Sequence, residues 1–203
     1  MRSQFLRPRS SLLLAALAAA AVQTSAQDVT LRGKVEDVQG TANQFFVDCT
    51  KVQLTSGALD LNAFVGQQVS LQGNWNGSTA APSIAVTSLE PVAATFEIGG
   101  GAKLGGTVNF HVFGTPGDIA VPALAVGSGF VPVGAAGSIL IELQGAFVFA
   151  AKVIPAVGPT QLPLAIPSDP ALVGVDLFGQ AGVYSPGSGA LLFSNPDCKT
   201  IDA

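Results

Sequence analysis

From residue 28 onward, apolar side chains recur at every second position, and this alternation constrains the fold more than any other feature of the sequence. In the segment VTLRGKVE, one set of positions carries Val29, Leu31, Gly33 and Val35, while polar and charged residues fill the positions between them. Successive side chains of a strand point to opposite faces, so this segment is predicted to be a strand with one buried face.

The phase of the alternation reverses once in the next segments. Phe45 and Val47 continue the pattern after VQGTANQ, which has the composition of a turn, but Val52 and Leu54 fall on the opposite phase. A strand cannot exchange its faces without a turn or a bulge. We therefore predict a turn over residues 48–51 and a third strand that ends at about residue 55.

The following segments complete a small barrel. Leu59, Leu61 and Phe64 predict one short helical turn that closes a barrel end, and the alternation then resumes from Val69 to Trp75. Asn76-Gly77 is a strong hairpin signal, and a last strand follows it. The prediction is five strands with a helical plug after the third.

The rest of the chain is predicted to be a second all-β unit. EPVAAT has the composition of a linker, and GGGAKLGG, GTPGD, IPSDP and SPGSG have the composition of turns. Many short strands at this spacing are typical of a β-sandwich. The strands are expected at about residues 94–98, 107–113, 119–126, 138–143, 146–154, 161–166, 173–182, 190–194 and 198–202.

Both units resemble parts of known exported proteins. The runs LRGKVEDV, QFFVD, KVQL, FVGQQVSLQGNW and IAVTSLEPV resemble a minimal OB-type barrel of secreted bacterial proteins, over residues 28–92. Residues 95–203, most specifically Ile166 to Ala181 and Leu191 to Asn195, resemble a secreted bacterial β-sandwich domain that has no assigned activity. The expected fold class is all-β, a five-stranded OB-like barrel followed by an antiparallel β-sandwich. The resemblance implies no function, because one fold hosts many activities.

The first 26 residues have the organisation of a secretory signal peptide. Arg2, Arg7 and Arg9 precede an apolar run from Leu12 to Val22, and small residues follow up to Ala26. The apolar run is shorter than a membrane-spanning helix requires, so cleavage after Ala26 is expected. The predicted location is therefore the periplasm or the cell exterior.

Loss of this segment makes the chain more acidic. Without its three arginines, six basic residues remain against 13 acidic ones, a net charge of −7. Nucleic acids and anionic membranes are bound through clustered lysine and arginine, so neither is an expected partner. The uncharged stretch from residue 119 to residue 141 contains prolines and glycines, which predict strands and turns and not a transmembrane segment.

Cys49 and Cys198 are the only cysteines, and we expect them to form a disulfide between the barrel and the sandwich. In an oxidising compartment two cysteines commonly pair. The alternative is two unpaired thiols that pack as small apolar side chains. A metal site on these cysteines is disfavoured, because the chain has no Cys-x-x-Cys motif and no histidine near either cysteine.

The sequence offers no constellation for catalysis, and we predict that the chain is not an enzyme. His111 is the only histidine and lies on the polar face of the strand TVNFHVFG. Ser128 and Ser188 lie in Gly-Ser-Gly segments that lack the Gly-x-Ser-x-Gly order of a nucleophile elbow. GGGAKLGG also lacks the residue order of a phosphate-binding loop.

No cofactor is predicted from the acidic residues. Asp118, Asp169, Asp176 and Asp197 lie in or near predicted turns, where carboxylates commonly accept backbone hydrogen bonds. Calcium binding is the alternative, but the spacing Asp-x-Asp-x-Asp-Gly of a calcium loop is absent.

Two aromatic and two amide side chains are the remaining candidates for special roles. Trp75 and Tyr184 are weak candidates for binding a small ligand such as a sugar, although Trp75 shares a strand face with Val69 and is expected to be buried. Gln180 and Asn195 stand in apolar strands, where a buried amide requires hydrogen-bond partners. We predict that these two amides are structural and bond the backbone at strand ends.

These observations favour a noncatalytic function. We expect an exported structural or protein-interaction protein of the bacterial cell envelope or exterior. The alternative is a small-ligand or glycan-binding protein that uses Trp75 and Tyr184. Neither the protein partner nor the glycan is identified by these residues.

Overall fold

Strands dominate the structure. A computed structural model describes residues 27–38, 41 and 43–203, so the predicted signal peptide, residues 1–26, lies outside the described residues. The described chain is all-β, as predicted, with short 3₁₀ helices between some of its strands. No helix in the described residues is both long enough and apolar enough to cross a membrane.

The first five strands form a closed barrel. They are β1 (Gln27–Asp37), β2 (Phe45–Val47), β3 (Gln53–Thr55), β4 (Gln68–Trp75) and β5 (Ser83–Pro91). Their order is β1-β2-β3-β5-β4, and β4 pairs with β1 to close the sheet. β3 and β5 run parallel, whereas the other neighbours are antiparallel. This arrangement fits the predicted OB-like barrel.

The barrel interior contains the side chains that the alternation predicts. Val29 and Val35 of β1 are 4% and 0% exposed and face the core. A turn separates β2 from β3 where the phase reverses. In that turn the Thr50 hydroxyl donates to the Val47 carbonyl at 2.6 Å and accepts the Val52 N–H at 3.0 Å. The predicted faces and the predicted turn are both confirmed.

A 3₁₀ helix, η1 (Leu61–Phe64), fills one end of the barrel, as predicted. Asp60 caps it, since the carboxylate accepts a backbone N–H of the first turn at 3.0 Å. Leu61 is buried in the barrel core, and Val65 forms a β-bridge with Val35 of β1. The plug is therefore attached to the strand whose end it covers.

The second region consists of two sheets and a hairpin. Its strands are β6 (Phe96–Gly99), β7 (Thr107–Val112), β8 (Ile119–Ala125), β9 (Ser128–Pro132), β10 (Ser138–Ile141), β11 (Phe147–Val148), β12 (Lys152–Val153), β13 (Thr160–Ala165), β14 (Asp176–Ser185), β15 (Ala190–Phe193) and β16 (Asp197–Thr200), with the 3₁₀ helices η2 (Gly134–Ala136) and η3 (Pro170–Leu172) between them.

The two sheets of this region pack on one core. The smaller sheet has the order β13-β7-β6. The larger has the order β11-β8-β14-β15, with β12 also paired to β8 and β16 to β14. Buried residues of both sheets, among them Phe110 of β7 and Ala181 of β14, belong to the same cluster. The layers form the antiparallel sandwich that the strand spacing predicts.

Two strands differ from the prediction. Residues 146–154 form β11 and β12 instead of one strand, because their register against β8 shifts by one residue between the two, as at a β-bulge. Residues 128–132 form β9, although no strand was predicted between residues 126 and 138. A Cβ at Gly129 would lie 2.7 Å from the Ile141 carbonyl oxygen, so glycine there permits close approach of β10.

The β9–β10 hairpin packs on the barrel, not on the sandwich core. Phe130 and Leu140 are 2% and 0% exposed and belong to the barrel cluster. The ring of Phe130 lies 5.3 Å from that of Trp75, and the Ser138 hydroxyl donates to the Thr30 carbonyl at 2.9 Å. The barrel end opposite η1 is therefore covered by residues from the second region.

Candidate functional site

The outer face of the six-stranded sheet carries an apolar groove. The inner face of this sheet packs on the three-stranded sheet, where Ala120 and Ala181 are buried. Successive strand residues face opposite sides, so Val121, Gly182 and Tyr184 lie on the outer face. The β9–β10 hairpin covers one part of that face and leaves the rest open.

The groove has a volume of about 270 Å³ and no charged side chain in its lining. Leu143, Tyr184 and Leu191 at its margins are 53%, 42% and 43% exposed. Contiguous exposed apolar residues commonly mark an interaction surface. The lining residues are Val121, Ala123, Ile139, Ile141, Leu143, Ala146, Val148, Gln180, Ala181, Gly182, Tyr184, Leu191 and Phe193.

Gln180, at the covered end of the groove, attaches the hairpin to the sheet. Its side-chain amide donates to the carbonyls of Ser138 at 3.0 Å and Ser194 at 2.8 Å, and its Oε1 accepts the Leu140 N–H at 2.8 Å. The side chain is buried, and these bonds occupy it fully in holding backbone. The side chain therefore joins β14 to the backbone of two other segments.

Tyr184 and Trp75, the two predicted ligand platforms, are not brought together. Tyr184 lies at the open end of the groove, opposite Leu191 in the β14–β15 ladder. Trp75 is half-buried beside Phe130, and its Nε1 donates to the Ser78 carbonyl at 3.1 Å. Tyr184 is therefore the residue of this pair that a ligand in the groove would contact, whereas Trp75 helps to close the barrel.

Cys49 and Cys198 form the predicted disulfide, with their Cα atoms 5.6 Å apart. The bond joins the β2–β3 turn of the barrel to β16 of the sandwich and indicates an oxidising environment. Asp48 adds a carboxylate beside the two sulfurs, and these three residues are the only cluster of potential metal ligands among the described residues. Because the sulfurs are bonded to each other, they are not free to ligate a metal.

Asn195 and Asp197 attach β6 to the chain segment that carries Cys198. The Asn195 Oδ1 accepts the N–H groups of Thr95 at 2.8 Å and Phe96 at 3.1 Å, and its Nδ2 donates to the Phe96 carbonyl at 2.8 Å. An Asp197 oxygen accepts the Ile98 N–H at 2.6 Å. Burial raises the pKa of Asp197, although its backbone hydrogen bonds oppose that shift.

His111 lies on the outer face of the three-stranded sheet. Its Nδ1 is 2.7 Å from a Glu97 carboxylate oxygen, and Gln161 is its cross-strand neighbour on β13. Within the described chain, no serine or cysteine side chain is hydrogen-bonded to it. His111 thus has an acidic neighbour but no nucleophile in contact.

The four turn aspartates do not converge on one site. Asp169 caps η3 by accepting the Ala171 N–H at 2.9 Å, and Asp176 accepts the Thr200 hydroxyl at 2.6 Å. Asp197 binds backbone as described above. Asp118 differs from these three, because it is buried and lines a separate pocket.

Gln180 and Tyr184 were predicted to have special roles and both line the groove, but the groove itself was not predicted. A signal for it was present. In β8 both Ala120 and Val121 are apolar, and in β15 both Leu191 and Leu192 are, so neither strand has the polar outer face that β1 shows. Strands with two apolar faces require cover on both sides, and here one side is covered in part.

No protein-family model, no curated protein and no solved structure matches this chain. The fold assignment therefore rests on strand order and register.

Proposed function

We propose that this chain is an exported, noncatalytic protein-interaction protein that binds an apolar segment of a partner protein in the groove beside Tyr184. The observation that carries this proposal is the uncharged, partly exposed lining of the groove. Apolar area removed from water on binding contributes roughly 25 cal/mol per Å² before the costs of association.

A protein segment fits this surface better than a sugar does. Sugar recognition requires several polar groups that converge on hydroxyls. In the groove, the amide of Gln180 is already committed to backbone atoms. The lining also includes Val148, which pairs with Ala123 of β8 and is 60% exposed. This extent suits a chain segment with several apolar side chains.

Two features support export. The N-terminal residues have the pattern of a secretory signal, and the Cys49–Cys198 disulfide requires oxidising conditions. The mass of the secreted chain measures this directly, and a mature N-terminus at Gln27 is the expected result. A chain that retains residues 1–26 and stays in the cytoplasm contradicts the export part of the proposal.

Site-specific photo-crosslinking tests the groove. A photoreactive amino acid at position 191, inside the groove, is expected to crosslink a defined partner protein. The same group at Val157, 90% exposed and outside the groove, is the matched control. Leu143→Asp should abolish the crosslink from position 191, because it places a charge in the apolar lining.

Equal crosslinking from positions 157 and 191, or a crosslink that survives Leu143→Asp, contradicts the proposal. Saturable binding to a glycan array that Tyr184→Ala removes, without a protein crosslink at position 191, would favour the glycan-binding alternative instead.

A further inference from the structure

A second pocket, of about 250 Å³, opens where the barrel meets the sandwich. It is bordered by Arg32 of β1, by Phe113 and Asp118 at the β7–β8 connection, and by Val183 of β14. Val183 alternates with Gly182 and Tyr184, so it lies on the opposite sheet face from the apolar groove. The inference drawn from this pocket does not depend on the function proposed for the groove.

Asp118 is a buried carboxylate without a protein donor. It is 9% exposed, and no described residue donates a hydrogen bond to its side chain. Its backbone is fixed, since its N–H donates to the Thr115 carbonyl at 3.0 Å and its carbonyl accepts the Ile154 N–H at 2.8 Å. Gly114 packs closely here, because a Cβ there would lie 2.6 Å from Ile154 Cδ1 and 3.9 Å from the Asp118 Oδ2. The carboxylate oxygens are not fully enclosed, so they open into the pocket, where solvent or a ligand supplies their donors.

Arg32 supplies an opposite charge to the same pocket. It projects from the polar face of β1 and is half-buried. No acidic oxygen of the residues that the structure describes lies within 4.0 Å of its guanidinium. Lys34, the next residue on that face, differs: it is paired with Glu36 and lies 3.7 Å from an Asp48 oxygen. Arg32 is thus the cation on this face of β1 that is open to an external anion.

We propose that this pocket binds a small zwitterion of the α-amino acid type, with its ammonium group on Asp118 and its carboxylate on Arg32. A carboxylate can accept two parallel hydrogen bonds from a guanidinium, and an ammonium group donates to a carboxylate with the strength of a charge-assisted bond. Both uncompensated protein charges are then satisfied by one molecule.

The pair of charges excludes simpler ligands. A free cation would be attracted by Asp118 but repelled by Arg32, and a free anion would experience the reverse. The volume lies below the range of about 300–1,000 Å³ typical of drug-sized ligands, which suits a molecule as small as an amino acid. Phe113 and Val183 provide apolar contact for a side chain. The preferred ligand is therefore an amino acid with an apolar side chain.

Calorimetric titration of the oxidised mature protein tests this proposal. Glycine, L-leucine and L-phenylalanine are the probes, with L-leucinamide and N-acetyl-L-leucine as analogues that each lack one charge. Saturable one-site binding is expected for at least L-leucine. Each analogue should bind at least about tenfold more weakly, because a hydrogen bond to a charged group is lost.

Variants assign the charges to their residues. Asp118→Asn and Arg32→Gln should each weaken L-leucine binding at least about tenfold. Glu90→Gln on β5 and Lys152→Gln on β12, both exposed and outside the pocket, are matched controls that should bind as the wild type does. If Asp118 were instead a structural residue, Asp118→Asn would lower the melting temperature. The proposal expects an unchanged value, because no described residue donates a hydrogen bond to this carboxylate.

Three results would overturn the proposal. The first is that none of the three amino acids binds saturably. The second is that L-leucinamide or N-acetyl-L-leucine binds as tightly as L-leucine, which would indicate a site for one charge only. The third is that both pocket variants bind as tightly as Glu90→Gln and Lys152→Gln.

Discussion

The barrel and the region that follows it differ in how fully they bury the apolar side chains of their strands. In β1 one face is buried and the other carries Thr30, Arg32 and Lys34, so closing the barrel covers the apolar face of this strand. In β8 and β15 both faces are apolar. The sandwich core covers one face, the β9–β10 hairpin covers part of the other, and the groove is what remains.

Because of this difference, only the second region presents an open apolar surface that a partner could bind. The barrel cannot be treated as self-sufficient, because Phe130 and Leu140 from the second region lie in its core. The second region provides this cover and still presents open apolar surface. A filled barrel interior is a structural unit, whereas an open sheet face is available to a partner. The predictions below test how strongly the two regions depend on each other.

The largest expected effect is that of the disulfide. Cys49→Ser combined with Cys198→Ser removes a bond between residues separated by 149 positions, and the loop-entropy model assigns such a bond up to about 5 kcal/mol of stability. Chemical denaturation should show this loss. It should also show two transitions where the wild type has one, because only the backbone between β5 and β6 then links the regions covalently.

The wild type with its disulfide reduced is the control, and it should behave as the double variant does. Equal stability of the oxidised wild type and the double variant would show that noncovalent contacts alone hold the regions together.

The second effect concerns the cover on the barrel end. Phe130→Ala removes a ring that is 2% exposed and packs 5.3 Å from Trp75, and a buried phenylalanine contributes about 3–5 kcal/mol relative to alanine. Trp75 is the only tryptophan, so its fluorescence reports on this end of the barrel. We expect a red-shifted emission in the native variant and unfolding at lower denaturant concentration.

Val131→Ala is the matched control for this substitution, since Val131 is the next residue on β9 and is 38% exposed. Its effect should stay within about 0.5 kcal/mol, as for most surface changes. If both variants unfold at the same denaturant concentration as the wild type, the stability of the barrel does not depend on the hairpin.

The sequence predicted the barrel better than the surfaces around it, and the cause is physical. Burial of one strand face produces a period of two that can be read along the chain, as in Val29 to Val35. For the same reason, the reversal in the phase of the alternation between Val47 and Val52 predicted the turn between β2 and β3. The hairpin predicted from Asn76-Gly77 does join β4 to β5, but its loop is longer than two residues. In that loop the Asn76 side chain accepts the N–H of Ser83.

The candidate sites depended on contacts that no local pattern encodes. The groove exists because Gln180 fastens a hairpin some 40 residues distant in the chain, through its bond to Leu140. The charged pocket pairs Arg32 of the barrel with Asp118 of the sandwich. The sequence shows both residues, but it does not show that they line the same pocket, because this depends on how the two regions pack.

The smallest expected effect is the pH dependence of the junction near the disulfide. Burial raises the pKa of Asp197 above the value of 3.8 for an unperturbed aspartate, so the folded state binds this proton more tightly than the unfolded state does. The contribution to stability is therefore complete below pH 3.8 and is lost as the pH rises through the folded-state pKa. Asp197→Asn removes this component. The free energy of unfolding of the wild type, measured relative to the variant from about pH 3 to about pH 7, should fall as the pH rises.

Asp28→Asn, at the exposed start of β1, is the control for general charge effects. A difference between wild type and Asp197→Asn that stays constant or rises with pH would show that Asp197 is not desolvated where β16 meets β6, although it accepts the Ile98 N–H there.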